Sequence, residues 1–160
     1  MLREFPMVLL VDDHEDSAAM YAIGLLAMGF QPVIAATAEE GFEHACRLAP
    51  DIIVADVSAA GESGLDLTRR LRREARTQST GIIVLTSSTL GGIKGKAEAA
   101  GCDGFLVKPC LPDVLLWKYA TCCIDEKPPY EQWGRAVVTE GATECDLHVR
   151  SRSVRTSSRR

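Results

Sequence analysis

The chain has 160 residues, 46% of them hydrophobic, and a formal net charge of −4 at pH 7. That length suits one domain, or one domain with a tail, and the apolar fraction is enough for a proper core. Nothing approaches the ~20 apolar residues of a membrane span, and the short opening apolar run, followed by two aspartates, does not read as a secretory leader; a cytoplasmic protein with no membrane partner is expected.

Met7–Val11 reads as a buried strand stopping at Asp12 and Asp13. Asp16 or Ser17 is the expected cap of a helix over Ala18–Met28, with Met20, Tyr21, Leu25 and Leu26 facing the sheet and Gly29 ending it. Pro32–Ala36 reads as a second strand, and Thr37 with Glu40 makes a capping box for a helix to Leu48. Asp51–Ala55 is a third strand, whose apolar run gives way at Asp56 to small residues and the glycines Gly61 and Gly64. Leu65–Ala75 is a third helix. Its arginines, Arg69, Arg70, Arg72, Arg73 and nearby Arg76, read as a solvated face, with a docking patch as the alternative.

Gly81–Leu85 is a fourth buried strand, ending at Thr86-Ser87-Ser88. The helix expected over about Gly92–Ala100 is weak, because Gly91, Gly92 and Gly95 each cost about 1 kcal/mol relative to alanine in a helix interior; Gly101 closes it. Gly104–Val107 is a short fifth strand running into Lys108-Pro109, and Pro112 opens a last helix to about Ile124. On that helix Leu115, Leu116 and Tyr119 fit the core side, while Val114, Trp117 and Thr121 form the other stripe. An outward Trp117 is a candidate anchor for a partner or a second copy; covering the tail or the helix end is the alternative.

Strands that read as unbroken apolar runs and alternate with helices argue an α/β fold with a parallel sheet covered on both faces. Residues 1–124 hold eleven Lys and Arg against sixteen Asp and Glu, so this body is a poor nucleic-acid binder by itself. Residues 125–160 lack a periodic apolar pattern and carry five arginines and no acid from Leu147 onward; they read as a linker and flexible basic tail. The six cysteines form no CxxC or zinc-type spacing and read as small buried hydrophobes in a reducing compartment.

In a parallel sheet the strand ends gather Asp12, Asp13, Asp56, Thr86 and Lys108 along one rim, where open α/β folds place their ligands. Three clustered carboxylates repel one another, and a cation or protons must relieve that. Oxygen ligands suit a hard ion, magnesium before calcium. An ammonium and a hydroxyl beside such an ion make sense if a phosphoryl group arrives there, with Asp56 as a nucleophile able to form an acyl-phosphate.

The segments VLLVDDHED, PDIIVADVSAAGESGLDL, IIVLTSS and DGFLVKP closely resemble the receiver domain of bacterial two-component response regulators, over roughly residues 6–124. The resemblance implies a flavodoxin-like (β/α)5 fold of the chemotaxis-regulator kind, with strand order 2-1-3-4-5. It implies a phosphoacceptor at Asp56 and magnesium held by Asp13, Asp56 and the backbone carbonyl of Ser58, with Asp12 helping through water. Lys108 would bind the phosphoryl group, Thr86 would move towards it, and the rotamer of Phe105 would follow Thr86. Such a protein catalyses only its own phosphorylation and dephosphorylation. The family's usual proline four residues after the acceptor is Ala60 here, and the positions two after Asp56 and Thr86 are Ser58 and Ser88.

The expected function is therefore a stand-alone receiver that takes a phosphoryl group from a histidine kinase or histidine phosphotransfer protein and signals to a downstream protein, with a homodimer through the last helix as a further possibility. Two other readings are a nucleic-acid-associated regulator acting through the basic tail and a phosphorylation-silent module of the same fold. Specific DNA binding is not expected, because Arg150–Arg160 lacks aromatics and a folded motif. His14 reads as a surface residue.

Overall fold

The structure, a computed structural model, describes residues 5–57, 63–87 and 92–123. Strands and helices alternate: β1 (Met7–Val11), α1 (Glu15–Ala27), β2 (Gln31–Ala35), α2 (Ala38–Leu48), β3 (Ile52–Val57), α3 (Ser63–Arg73), β4 (Gly81–Thr86), α4 (Ile93–Ala100), β5 (Gly104–Val107) and α5 (Pro112–Cys123). The five strands form one parallel sheet in the order β2-β1-β3-β4-β5, as expected. The expected tail over 125–160 lies outside the described residues, as do Ser58, Ala60, Ser88 and the side chain of Thr121.

Side chains alternate across a strand, so the three central strands β1, β3 and β4 feed two cores. Val8, Leu10, Ile52, Val54, Ile83, Leu85 and Leu106 pack with Tyr21 and Leu25 of α1 and Leu115 and Leu116 of α5. On the other face Leu9, Val11, Ile53, Ala55 and Ile82 pack with Ala45 of α2 and Leu67 and Leu71 of α3. Val57, Leu65, Val84, Ala97 and Ala100 make a third cluster under α4, with Phe105 partly buried against it.

Several expected boundaries and faces are corrected. α1 starts at Glu15 rather than Ala18, and neither Asp16 nor Ser17 caps it; His14 is the N-cap and offers no side-chain bond. The carboxylate of Asp12 does that work from the end of β1, accepting the His14 N–H at 2.9 Å and the Ser17 hydroxyl at 2.7 Å. Ala18 and Ala22, not Met20 and Leu26, join Tyr21 and Leu25 in the core, and Met20, Ile23 and Leu26 are exposed. β2 is an edge strand with only Ala35 fully buried, not a strand buried on both faces. Thr37 caps α2 by accepting the Glu40 N–H, and Glu40 reaches back to the N–H of Ala36. Cys46, Cys102 and Cys110 are half-buried rather than buried.

Arg72 departs from the solvated face expected of α3. Its side chain is 14% exposed and pairs with Asp103, and it donates to the carbonyls of Gly101, Gln78 and Thr80. It ties α3 to the turn before β4 and to the turn between α4 and β5. Arg70 stays near the surface, paired with Glu39 and lying 4.2 Å above the Phe42 ring.

Candidate phosphoacceptor site

The alternation of the strands decides which rim residues meet. Asp12 continues the face of Val8 and Leu10, Asp56 that of Ile52 and Val54, and Lys108 that of Leu106. All three therefore turn to the side of α1. Lys108 Nζ donates to Asp12 Oδ2 at 2.9 Å and to Ser17 Oγ at 2.9 Å, and stands 3.2 Å from Asp56 Oδ1. The Asp56 side chain is 5% exposed, and its buried Oδ1 faces the Lys108 ammonium at 3.2 Å without a well-directed hydrogen bond. Asp13 lies further out, with Oδ1 2.8 Å from His14 Nδ1.

Burial raises the pKa of Asp56; Lys108 opposes this, and the charges of Asp12 and Asp13 add to it. Burial would raise Asp12 too, but hydrogen bonds from Lys108, Ser17 and the His14 N–H outweigh it and hold its carboxyl below the usual value. For Lys108, burial would favour the neutral amine, but Asp12 and Asp56 overcome it and raise its pKa. The pocket thus holds more negative charge than one ammonium balances, and Asp56 carries the deficit.

Asp12, Asp13, Asp56 and His14 each offer a ligand atom within 4.8 Å of the others. These residues fit a divalent cation: the carboxylates converge, and a buried Asp56 oxygen has no well-directed hydrogen bond. Ser58, the other expected ligand, lies outside the described residues. His14 was expected only as a surface residue; it is exposed, yet belongs to this group.

Thr86 takes the opposite face. Its register partners are Val57 and Val107, and its fully buried hydroxyl donates to the carbonyl of Val57 at 3.0 Å. Phe105, paired with Val84, shares that face. The backbone still links Thr86 to the pocket, because the Lys108 N–H donates to the Thr86 carbonyl at 2.7 Å. On α5, Trp117 is 50% exposed, whereas Val114 is half-buried against the α1–α5 core, so the expected outward stripe narrows.

Sequence reading missed three supports of the site. Ser17 bridges Lys108 and Asp12. Tyr21, one turn further along α1, places its ring 5.9 Å from Lys108 Nζ and donates its hydroxyl to the Cys110 carbonyl at 3.1 Å. Gly64 lets the first turn of α3 close on β3, since a Cβ there would stand 2.5 Å from the Asp56 carbonyl oxygen. The four-residue spacing of Ser17 and Tyr21 behind the acidic pair is the signal that could have found the first two.

A family model for the response regulator receiver domain matches residues 8–120. Among solved structures, the chemotaxis protein CheY4 of Vibrio cholerae is 29% identical with a TM-score of 0.68, the match covering 74% of this chain and 98% of that one. The phosphate regulon transcriptional regulatory protein PhoB of Pseudomonas aeruginosa is 30% identical over 109 residues, 68% of this chain and 48% of that protein. The hybrid signal transduction histidine kinase G of Dictyostelium discoideum is 34% identical over 105 residues, 64% of this chain and 3% of that protein. The chain thus spans about half the length, or far less, of these two curated relatives.

Proposed function

The chain belongs to the response regulator receiver domain family, and from that premise we propose that Asp56 is the phosphoacceptor of a two-component phosphorelay. The observation that carries this is the Asp56 carboxylate itself: almost fully buried, without a well-directed hydrogen bond on Oδ1, and facing the Lys108 ammonium at 3.2 Å. An oxygen of Asp56 attacks phosphorus as the P–N bond of a phosphohistidine breaks and the imidazole leaves, so the phosphoryl group passes to the carboxylate. Lys108 donates to the transferred oxygens and offsets their charge. Asp12, Asp13 and Asp56, with the carbonyl of Ser58, would hold magnesium, which supplies further charge stabilisation of the same oxygens.

The output follows from differential bonding. The new phosphoryl oxygens favour a backbone arrangement in which the Thr86 hydroxyl leaves the Val57 carbonyl and turns to them. Phe105, on the same sheet face as Thr86, takes the space that this opens. Two exposed features support protein partners: Met20, Ile23 and Leu26 on α1, the helix that follows Asp12 and Asp13, for the histidine kinase or phosphotransfer protein, and Trp117 on α5 for a downstream protein or a second copy. Among the described residues no helix is long and apolar enough to cross a membrane. The domain assigned to this activity is 1–124, with 125–160 as its appendage.

The test is incorporation of acid-labile phosphate from acetyl phosphate, with magnesium and with EDTA, into wild type and Asp56→Asn. Magnesium-dependent label in wild type alone supports the reading; equal label in both proteins, or none in either, contradicts it.

A further inference from the structure

α1 meets the turn between β5 and α5 through two side chains that the chemistry at Asp56 leaves without a task. Ser17 Oγ accepts from Lys108 Nζ at 2.9 Å and donates to Asp12 Oδ2 at 2.7 Å, while Lys108 Nζ also reaches that Oδ2 at 2.9 Å, so the three groups close a ring. Tyr21, on the same helix face, lies below the ammonium and fastens the Cys110 carbonyl two residues beyond it.

We propose that Ser17 is a positioning residue for Lys108, holding its ammonium at the mouth of the pocket once the carboxylates have been claimed by a cation. The proposal rests on the reading of Asp56 as acceptor and extends it. Lys108 has three partners here: Asp12, Asp56 and Ser17. The first two are anions that a divalent cation would neutralise, and their pull on the ammonium falls accordingly. Ser17 is uncharged and is the one partner of the three for which the cation does not compete as a charge. A lysine stem is long and flexible, and the Lys108 side chain is already 16% exposed, so without that acceptor its head swings towards solvent. Serine at this position also lets the hydroxyl take both roles at once, donor to Asp12 and acceptor from Lys108.

The experiment compares wild type, Ser17→Ala and Ser17→Thr by two readouts. One is the order of the Lys108 ε-methylene group, measured by NMR in the magnesium-loaded protein without phosphodonor. The other is the rate constant for phosphorylation by acetyl phosphate. Ser17→Ala, a good helix former at this position, is expected to mobilise the Lys108 ε-methylene and slow phosphorylation about fivefold, both read at a temperature where a thermal melt shows each variant folded, since the change also removes a donor to Asp12; Ser17→Thr restores both. An Ala variant with wild-type lysine order, or a Thr variant as mobile and slow as Ala, overturns the proposal. Because the NMR readout needs no phosphoryl transfer, a wild type that is never labelled at Asp56 sinks the acceptor reading separately from the positioning one.

Discussion

The Lys108 ammonium faces the Asp56 carboxylate at 3.2 Å, yet this opposite-charge contact does not hold Asp56 at ordinary acid strength. Burial, with Asp12 and Asp13 adding to it, outweighs the lysine. The folded chain therefore stores an unfavourable charge at the very group proposed to receive phosphate, and several consequences follow from that imbalance.

Neutralising Asp56 without changing its shape should stabilise the protein when divalent ions are absent. Asp56→Asn removes a charge that burial and the neighbouring carboxylates disfavour, so it is expected to raise Tm by about a few degrees. Added magnesium should then stabilise wild type more than the variant. A variant less stable than wild type in EDTA would contradict this account of the pocket.

The two buried carboxylates act on opposite sides of their ordinary pKa of 3.8, Asp56 lying above it and Asp12 below. For Asp56 the folded state binds more protons than the unfolded one just above 3.8, so stability falls as pH rises through the raised folded value. For Asp12 the unfolded state binds more protons below 3.8, so its contribution is present above that value and is lost as pH falls towards the depressed one. Urea titrations in EDTA across this acid range should show both limbs in wild type. In Asp56→Asn the limb above 3.8 should be reduced while the lower one remains.

Arg72 should matter to the fold and not to the chemistry. Arg72→Ala leaves Asp103 mostly buried without its guanidinium and releases the carbonyls of Gly101, Gln78 and Thr80. A loss of about 3 kcal/mol is expected, as for breaking a buried pair from one side, measured by denaturant unfolding. Phosphate incorporation per folded molecule should be unchanged; a selective loss of labelling would place Arg72 in the site after all.

How far the sequence was legible depends on whether a residue's partners are local. β1, β3 and β4 are buried on both faces, so Val8–Val11, Ile52–Ala55 and Ile82–Leu85 read as unbroken apolar runs and gave away the sheet and its acidic rim. α1 is apolar nearly all round, which hid that Ala18 and Ala22, not Met20 and Leu26, face the sheet. Its true start was hidden because the stabilising carboxylate belongs to Asp12, outside the helix. Arg72 was indistinguishable from its neighbours, because Gly101 and Asp103 are far away along the chain. The face of Thr86, opposite to that of Asp56, needed the register of β3 against β4.

Gly64 joins the fold to the site. In Gly64→Ala the new methyl would stand 2.5 Å from the Asp56 carbonyl oxygen and 2.8 Å from a Val57 methyl, so α3 or the end of β3 must shift. Overpacking of this kind costs about 1–3 kcal/mol. Slower phosphorylation at a temperature where the variant is still folded is expected alongside the lower stability. A variant as stable and as fast as wild type would mean that the end of β3 is softer than its packing implies.

The most direct measurement is the mapping of acid-labile phosphate after reaction with acetyl phosphate and magnesium, by borohydride reduction and peptide mass analysis. The account predicts modification at Asp56 alone, abolished by EDTA and by Asp56→Asn. Label on another residue, or label that survives in Asp56→Asn, would contradict it.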